Sequence, residues 1–394
     1  MEMPEMRRGM GWMALMPILA GFFVMGFSDI IGTVMNQVKP ECGLSDTQAG
    51  FLPSMIFIWF FLVSIPAGIL CGRIGRKNTV LASLGVTVFA MFLALAGGPG
   101  RVWVYFVSFA LLGIGNTVIQ AALPALMSNV VPQDQLTSRI SLGQFVKAVC
   151  AALTPVFVYL TAKAMGNWKL LFPLYGTITL VAAAWLWRTP VRREEPAAGG
   201  VTFGSCLAQL GSPYILAMTL GVFFSVGADV GFGYTVPDYL RDMKVDADVA
   251  GMGPTVYFIA KTAGAFIGAI LFAKAAPAKC FPWTVLLAVA GTAAMFFART
   301  PALLLACVFA ASLGLANTFG MAMGLAINRV PEKTNEISSL MVMAIVGGAV
   351  VTPVLGWMQE RSGVNGLTWV LLACEAYLLG LGIFAAVQKK GTLK

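Results

Sequence analysis

Long apolar runs recur from one end of the chain to the other, and short segments rich in glycine, proline and charge separate them. A helix needs about 20 apolar residues to cross the roughly 30 Å of hydrocarbon in a bilayer. The pattern therefore predicts an all-α polytopic membrane protein with twelve spans, at approximately 12–36, 47–71, 79–98, 103–130, 140–163, 170–188, 211–236, 251–273, 281–298, 301–328, 338–359 and 366–388.

The composition agrees with this pattern, because 58% of the residues are hydrophobic, 11% are charged and the mean hydropathy is +0.83. Soluble domains carry about a quarter charged residues. The net charge of +9 does not indicate nucleic-acid binding, since the basic residues lie on short loops. With the N-terminus inside, sixteen Lys and Arg fall on cytoplasmic segments and eight on the opposite side, which predicts a bacterial-type inner membrane protein with both termini in the cytoplasm.

Several classes of chemistry find no support in the sequence. The chain has no histidine, which excludes histidine-based catalysis, metal ligation and proton relays. No Walker A motif is present, and the seven cysteines include no C-x-x-C pair. We therefore expect no enzyme activity, no metal and no cofactor beyond the proton as a coupling ion.

The first half of the chain recurs in the second half at an offset of 198 to 201 residues. The matching segments are GFFVMGFSDII (21–31) and GVFFSVGADVG (221–231), PSMIFIWFFLVSIPAGIL (53–70) and PTVYFIAKTAGAFIGAIL (254–271), FALLGIGNT (109–117) and FAASLGLANT (309–318), and SLGQFVKAVCAALTPV (141–156) and SLMVMAIVGGAVVTPV (339–354). Four matches in order indicate an internal duplication.

The duplication predicts two homologous six-helix bundles, at 1–187 and 211–394, joined by a cytoplasmic linker at 188–210. Parallel repeats of this kind suit the rocking of one half against the other around a site at mid-membrane. The equivalent first helices then bring Asp29 and Asp229 to one shared cavity.

The segment GILCGRIGRKN (68–78) resembles the loop between the second and third spans of the major facilitator superfamily. That loop reads Gly-x-x-x-Asp-Arg-x-Gly-Arg-Lys, and Gly72 stands here at its Asp position. The resemblance implies the twelve-helix fold of the superfamily and alternating access. It also implies a conformational gate, with the candidates Gly68, Arg73, Gly75, Arg76 and Lys77 in this loop. We add Arg139, a basic residue at the predicted cytoplasmic mouth, as a further gate candidate.

A closer resemblance is to the fucose–proton and glucose/galactose–proton symporters of that superfamily. It rests on SDIIGTVMNQV (28–38), LGQFVKAV (142–149), YFIAKTAGAFIGAIL (257–271) and SSLMVMAIVGGAVVTPVLGWMQERSG (338–363). It implies proton-coupled import of a small sugar-like solute, with Asp29 at the proton-linked position. The family's span-4 Glu is missing from GNTVIQAALP (115–124), and Lys147 replaces its span-5 Asn.

Four formal charges lie well inside the predicted spans: Asp29, Lys147, Asp229 and Lys261. Each costs about 2.5–3.5 kcal/mol at mid-span on insertion scales, and such residues usually mark ion or substrate paths. We assign Asp29 and Asp229 to proton coupling. In our hypothesis Asp29 pairs with Lys147 until the substrate takes over the lysine and frees the aspartate to bind a proton. The alternative is that the four charges form two ion pairs that fasten helices.

The remaining candidates offer hydrogen bonds, charge or ring stacking to a substrate. They are Gln144, Lys147, Lys261, Asn116, Gln120, Asn317, Trp59, Tyr234 and Tyr257. Two converging ammonium groups favour a sugar acid or another organic anion over a neutral sugar. Packing between helices is the alternative for the amides and aromatic rings. For Glu375, in LLACEAYLLG (371–380), we expect packing or snorkelling.

These patterns predict a monomeric secondary transporter whose partners are a small polar or anionic substrate, protons and the lipid bilayer, without nucleic acid. Two other interpretations stay open. One is an organic-anion uniporter or exchanger without proton coupling, and the other is a membrane sensor that uses the same scaffold without transport.

Overall fold

The computed structural model describes residues 3–30, 34, 38, 41–44, 46–159, 161, 165–191, 201–246, 250 and 253–388. The helices of the first repeat and the linker are α1 (Met3–Met25), α2 (Asp46–Ile74), α3 (Arg76–Ala94), α4 (Val102–Met127), α5 (Leu136–Tyr159), α6 (Leu171–Arg188) and α7 (Phe203–Ala208). Those of the second repeat are α8 (Pro213–Asp242), α9 (Pro254–Lys274), α10 (Pro277–Ala294), α11 (Pro301–Leu315), α12 (Thr318–Arg329), α13 (Thr334–Met343) and α14 (Gly347–Val387).

Helix occupies each of the twelve predicted spans within the described residues, which confirms the all-α expectation. In this part of the chain, nine helical stretches are long and apolar enough to cross a membrane. The stretch Pro331–Val387 contains two predicted spans. The chain bends between them at Gly363, where φ is +59°. The first span has the shorter apolar helix Met13–Ser28, and α5 occupies the fifth.

The first predicted span is not one continuous α-helix. Helix α1 ends at Met25, and the chain continues as a 3-10 turn over Gly26–Ile30. A Cβ at Gly26 would lie 2.7 Å from Cys150 Cβ and 2.9 Å from the Lys147 carbonyl oxygen. Only glycine allows the turn to approach the backbone of α5 so closely. The turn that carries Asp29 therefore lies directly against the turn of α5 that carries Lys147.

The chain forms two compact units, and each unit takes a short segment from the opposite repeat. The first comprises Met1–Leu136, Val146–Gln209 and Val330–Met343. The second comprises Thr137–Phe145, Leu210–Arg329 and Ala344–Lys394. Helix α13 of the second repeat thus belongs to the first unit, and the beginning of α5 belongs to the second. The predicted domain boundaries at 187 and 210 remain a prediction.

Glycines bring helix backbones together inside both units. In the first unit, a Cβ at Gly115 of α4 would lie 2.7 Å from Thr87 Oγ1 of α3. In the second unit, a Cβ at Gly314 of α11 would lie 2.5 Å from the Ala288 amide nitrogen of α10. Association in lipid depends on such close packing, because the lipid tails are as apolar as the helix surfaces.

The segment between the two repeats, which we call the linker, is docked on the first unit through a small apolar cluster. Val201 and Cys206 are buried with Ile65 of α2, and Cys206 is fully buried. A Cβ at Gly72 would lie 2.6 Å from Val201 Cγ2, so the glycine at the family's Asp position leaves room for the linker. Helix α7 begins with a capping box, in which the side chains of Thr202 and Ser205 each accept a hydrogen bond from the other's backbone N–H.

We predict that Cys206 reports the docking of the linker. Burial raises the pKa of its thiol to about 12, nearby Glu336 adds to this effect and Lys333 opposes it. Since the thiolate is the reactive form, the thiol of the docked linker reacts with maleimide very slowly at neutral pH.

The experiment uses protein in which the partly exposed Cys42 and Cys280 are changed to Ser. Val201→Asp places a charge in the apolar cluster and should raise the labelling rate about tenfold or more, by populating the undocked linker. Phe203→Ser changes an exposed residue of the same helix and should leave the rate unchanged. Equal labelling of all three proteins would show that the linker does not protect the thiol.

Candidate functional site

The second unit contains a cluster of three polar side chains from α8 and α9. The Lys261 ammonium lies 2.6 Å from Asp229 Oδ2, and the Tyr257 hydroxyl donates a hydrogen bond to Asp229 Oδ1. Tyr257 and Lys261 are four residues apart on α9, so both project from one helix face towards the same carboxylate. Both carboxylate oxygens are therefore engaged, one by a charge and one by a hydroxyl.

Tyr257 is held in place from three directions. Its ring is buried and stacks on Phe232 of α8, with 4.9 Å between the centroids. Its carbonyl oxygen accepts a hydrogen bond of 2.6 Å from the Ser312 hydroxyl of α11. The Lys261 ammonium also lies 5.9 Å from the ring centroid. A tyrosine fixed in this way positions the Asp229 carboxylate as well as donating to it.

The ion pair is only partly shielded from solvent, because the side chains of Lys261 and Asp229 are 29% and 20% exposed. An exposed fraction of this size leaves the ammonium accessible to a solute. An anionic solute at Lys261 would compete directly with Asp229 for the same charge.

In the first unit the structure describes the backbone of the proton-coupling candidate but not its side chain. Asp29 lies on the 3-10 turn Gly26–Ile30, which packs on α5 at Lys147. Lys147 itself is half-buried. Of the aromatic candidates, Tyr234 has its backbone on α8, and its side chain lies outside the described residues.

Three of the candidate substrate-binding side chains have buried donor atoms without a hydrogen-bond partner among the described residues. These atoms are Trp59 Nε1 on α2, Asn116 Nδ2 on α4 and Gln144 Nε2 on α5. Gln120 is buried one turn beyond Asn116 on the same face of α4. An unsatisfied buried donor costs about 1–3 kcal/mol, so these positions favour a bound acceptor.

Asn317, the equivalent amide of the second repeat, has a hydrogen-bond partner for its donor nitrogen. Asn317 Nδ2 donates a hydrogen bond of 2.7 Å to the Gly264 carbonyl oxygen of α9. A Cβ at Gly268 would lie 2.2 Å from Asn317 Oδ1, so the amide fills a glycine-lined gap between helices. Asn116 and Asn317 thus occupy matching repeat positions with different surroundings.

The gate candidates of the first unit centre on Arg76 at the beginning of α3. Its Nε donates to Asn335 Oδ1 of α13 at 2.8 Å, and its Nη1 donates to the Ala125 carbonyl at 3.0 Å, to Ser128 Oγ at 3.2 Å and to Asn129 Oδ1. Five donors in a rigid fork allow one arginine to link three segments.

Gly75 and Lys77 flank Arg76 in the chain. Gly75 has a φ of +87°, which makes the sharp turn between α2 and α3 possible. Lys77 donates to the carbonyl oxygens of Trp187 and Thr189 at the end of α6, at 2.9 and 2.7 Å. Arg73 is exposed at the end of α2, and Arg139 is half-buried on α5.

Small residues allow the segments from the opposite repeat to pack tightly. In the first unit, a Cβ at Gly68 would lie 2.0 Å from Ser339 Oγ of α13, and Ser338 Oγ donates to the Ala121 carbonyl at 2.5 Å. In the second unit, Ser138 Oγ of α5 donates to the Ala269 carbonyl at 2.8 Å. Sequence reasoning did not single out these serines. The repeat does not pair them either, because the match of 141–156 with 339–354 aligns Ser141 with Ser339 and leaves Ser138 and Ser338 at different positions.

The comparisons with known proteins agree with this geometry. The sequence model of the Major Facilitator Superfamily matches residues 18–351, and the chain therefore belongs to that superfamily. The "Glucose/galactose transporter" of Brucella abortus is 25% identical, with 95% of this chain and 94% of the relative covered. The "L-fucose-proton symporter" of Escherichia coli is 21% identical, with 87% and 86% covered.

A solved structure gives the same fold. The crystal structure of the superfamily transporter FucP, in the outward conformation, superposes with a TM-score of 0.84 at 20% identity, covering 95% of this chain and 99% of FucP. The predicted family and the predicted twelve-helix fold are thus confirmed, and the chain is a multi-pass membrane protein of a transporter superfamily.

We predict that Asp229 and Lys261 stabilise the second unit as a pair. Lys261→Met leaves the carboxylate without its counter-charge and should lower stability by about 1–3 kcal/mol, less than for a fully buried pair because both groups are partly exposed. The double variant Asp229→Asn with Lys261→Met should regain most of this loss, as measured by melting temperature in detergent. Lys274→Met, at the exposed end of the same helix, is the control. Additive losses in the double variant would contradict the pairing.

Proposed function

We propose that this member of the Major Facilitator Superfamily imports a small sugar-like solute together with protons, by alternating access. The observation that carries the proposal is the pair of unpartnered buried donors in the first unit, Trp59 Nε1 and Asn116 Nδ2. Sugar hydroxyls are acceptors as well as donors, and a site with unmet donors binds them in preference to apolar solutes. The indole of Trp59 adds a ring face on which a sugar can stack.

The names of the relatives support the same class of solute. They include a glucose/galactose transporter and an L-fucose-proton symporter, each aligned over most of both chains. At 21–25% identity the individual sugar does not carry over. The unmet donors of this chain therefore supply the independent support for a hydroxyl-rich substrate.

A neutral sugar fits the second unit better than an acid does. Lys261 is already paired with Asp229 at 2.6 Å, so a substrate carboxylate would have to displace an internal one. A sugar acid remains the second candidate because Lys147 and Gln144, three apart on α5, offer an ammonium and an amide on one helix face.

Proton coupling is proposed for Asp29. Its 3-10 turn packs on α5 at Lys147, which places the two residues on adjoining backbone segments. When the substrate engages Lys147, Asp29 loses a stabilising positive charge and binds a proton more tightly. Substrate and proton then favour each other's binding, as symport requires. Asp229, which carries its own lysine and tyrosine, serves as a secondary proton-coupling site.

Alternating access is proposed to work through the segments that each unit takes from the opposite repeat. Opening on the cytoplasmic side releases α13 from the fork of Arg76 and from the Ala121 carbonyl, and releases Ser138 from the Ala269 carbonyl. The small residues at these contacts allow tight closure without large side chains to unlock. We further propose a monomer in the bacterial inner membrane with both termini cytoplasmic, and domains at 1–187 and 211–394 joined by 188–210.

We predict that Asn116 contributes to binding and Asn317 to stability. A thermal-shift screen of hexoses, sugar acids and small carboxylates identifies the stabilising solute. Asn116→Ala removes an unmet donor, so it should weaken binding of that solute about 10- to 100-fold with little loss of melting temperature. Asn317→Ala removes a satisfied interhelical bond and should lower the melting temperature with a smaller effect on affinity.

Two results of this screen would change the proposal. Equal losses of affinity in the two amide variants would contradict the distinction between the repeats. Stabilisation only by acidic solutes, abolished by Lys147→Asn, would favour the organic-anion alternative over the neutral sugar.

We predict that Asp29→Asn uncouples transport from the proton gradient. In proteoliposomes this variant should lose accumulation driven by a pH gradient and retain exchange of labelled for unlabelled substrate, because binding and reorientation remain. Glu332→Gln, an exposed acid on the cytoplasmic side, is the control. Accumulation that survives in Asp29→Asn and resists proton uncouplers would favour a uniporter or exchanger. Binding without any exchange in the unmodified protein would favour a sensor.

A further inference from the structure

Helix α13 is held on the first unit, although the chain continues into the second unit at both of its ends. The first unit contains Val330–Met343, and the residues immediately before and after this segment belong to the second. On one face of α13, Asn335 Oδ1 accepts a hydrogen bond of 2.8 Å from Arg76 Nε of α3. On the same face, Ser338 Oγ donates to the Ala121 carbonyl of α4 at 2.5 Å. An element that holds another face of α13 therefore controls a part of the second repeat.

A second face of α13 contacts the linker. Glu336, Ser339 and Met343 follow one another at intervals of three and four residues, so they share this face. Met343 packs against the apolar cluster that contains Val201 and Cys206. At the other end of the face, Glu336 lies close enough to Cys206 for its charge to add to the raised pKa of the thiol. Helix α7 thus covers α13 from its beginning to its last residue.

The linker and α13 lie side by side on one face of α2. Ile65, Gly68 and Gly72 are three and four residues apart, which puts them in one row along that helix. Ile65 is buried in the cluster of the linker. A Cβ at Gly68 would lie 2.0 Å from Ser339 Oγ, and a Cβ at Gly72 would lie 2.6 Å from Val201 Cγ2. Each glycine therefore provides the space for one of the two neighbours, and α13 is enclosed between α2 and the linker.

The docked arrangement carries a cost that keeps it reversible. The side chain of Glu336 is 2% exposed, and its Oε1 lies 3.3 Å from the Nζ of Lys333, which is 37% exposed. Removing a carboxylate from water is expensive even when a counter-charge is present. Separation of the linker from α13 returns this carboxylate to water, so hydration opposes the apolar contacts of Val201 and Met343.

We propose that the linker is a latch on α13, and that undocking of Val201 and Cys206 precedes the release of α13 from α2. In the docked state, Ser339 and Met343 are covered by α2 on one side and by the linker on the other. This inference extends the alternating access proposed above, in which α13 leaves Arg76. It adds an element, outside the substrate site, whose docking sets how often that release occurs.

The test compares the accessibility of two thiols in the same full-length protein. Cys42 and Cys280 are changed to Ser, and Ser339→Cys replaces one atom of a side chain that is 0% exposed against Gly68. Peptide mass spectrometry measures the rate of maleimide labelling at positions 206 and 339 separately. Each rate is divided by that of the same thiol in the denatured protein. The measurement needs no substrate and no proton gradient, so the latch and the transport function can fail independently.

Two substitutions displace the linker from opposite sides. Val201→Asp places a charge in the apolar cluster, and Gly72→Leu fills the space on α2 that Val201 occupies. Each should raise the relative labelling rate of Cys206 and of Ser339→Cys about tenfold or more, because the undocked linker leaves α13 free to separate. Phe203→Ser, at an exposed position of α7, should leave both rates unchanged. In every variant, Cys206 should be labelled at least as fast as Ser339→Cys. Either substitution suffices if the other prevents folding.

Three results would overturn the proposal. Faster labelling of Cys206 without faster labelling of Ser339→Cys would show that the linker leaves without freeing α13. Unchanged rates at both thiols in Val201→Asp and Gly72→Leu would show that the apolar cluster does not hold the linker in place. A higher relative rate at Ser339→Cys than at Cys206 would show that α13 separates from α2 first.

Discussion

The rest of the structure depends on the cost of placing a charge or an unmet hydrogen-bonding group inside the bilayer. The second unit meets that cost internally, since the carboxylate of Asp229 receives a charge from Lys261 and a hydroxyl from Tyr257. Residues four apart on one helix supply both partners, so a single helix face serves the carboxylate of its neighbour. The stacking of Phe232 and the bond from Ser312 keep that face in position.

The two repeats have therefore diverged in what their polar residues do. In the second repeat the amide of Asn317 is used for packing against the glycines of α9, and the charges satisfy one another. In the first repeat the donors of Trp59 and Asn116 remain unmet. Stability and recognition make opposite demands on a polar side chain, because a satisfied group holds helices together and an unsatisfied one is available to a solute. In a duplicated fold, one repeat can use its polar groups for helix packing while the other keeps its polar groups available.

Close packing of small residues joins helices of the two repeats within each unit, and in our proposal it also permits alternating access. In the first unit, helix α13 packs on Gly68 and donates to the carbonyl of Ala121 through Ser338. In the second unit, Ser138 of α5 donates to the carbonyl of Ala269. These contacts consist of backbone carbonyls, hydroxyls and glycine surfaces, which make and break with little rearrangement of side chains. Arg76 adds a multidentate cation at this place, and the linker covers the adjoining end of α2 through Val201.

The sequence by itself determined the membrane class, the twelve spans, the duplication and the superfamily, because each depends on patterns repeated over many residues. It also identified Asp229 and Lys261 as unusual, since charge inside an apolar run is visible without coordinates, and it named Tyr257 as an aromatic candidate. Only the tertiary structure decided that Lys261 and Tyr257 both contact Asp229, that the amide nitrogen of Asn317 has a hydrogen-bond partner and that of Asn116 does not, and that Glu375 is fully buried. Partnership and burial depend on which faces of which helices meet, and helical periodicity alone does not fix the rotation of one helix against the next.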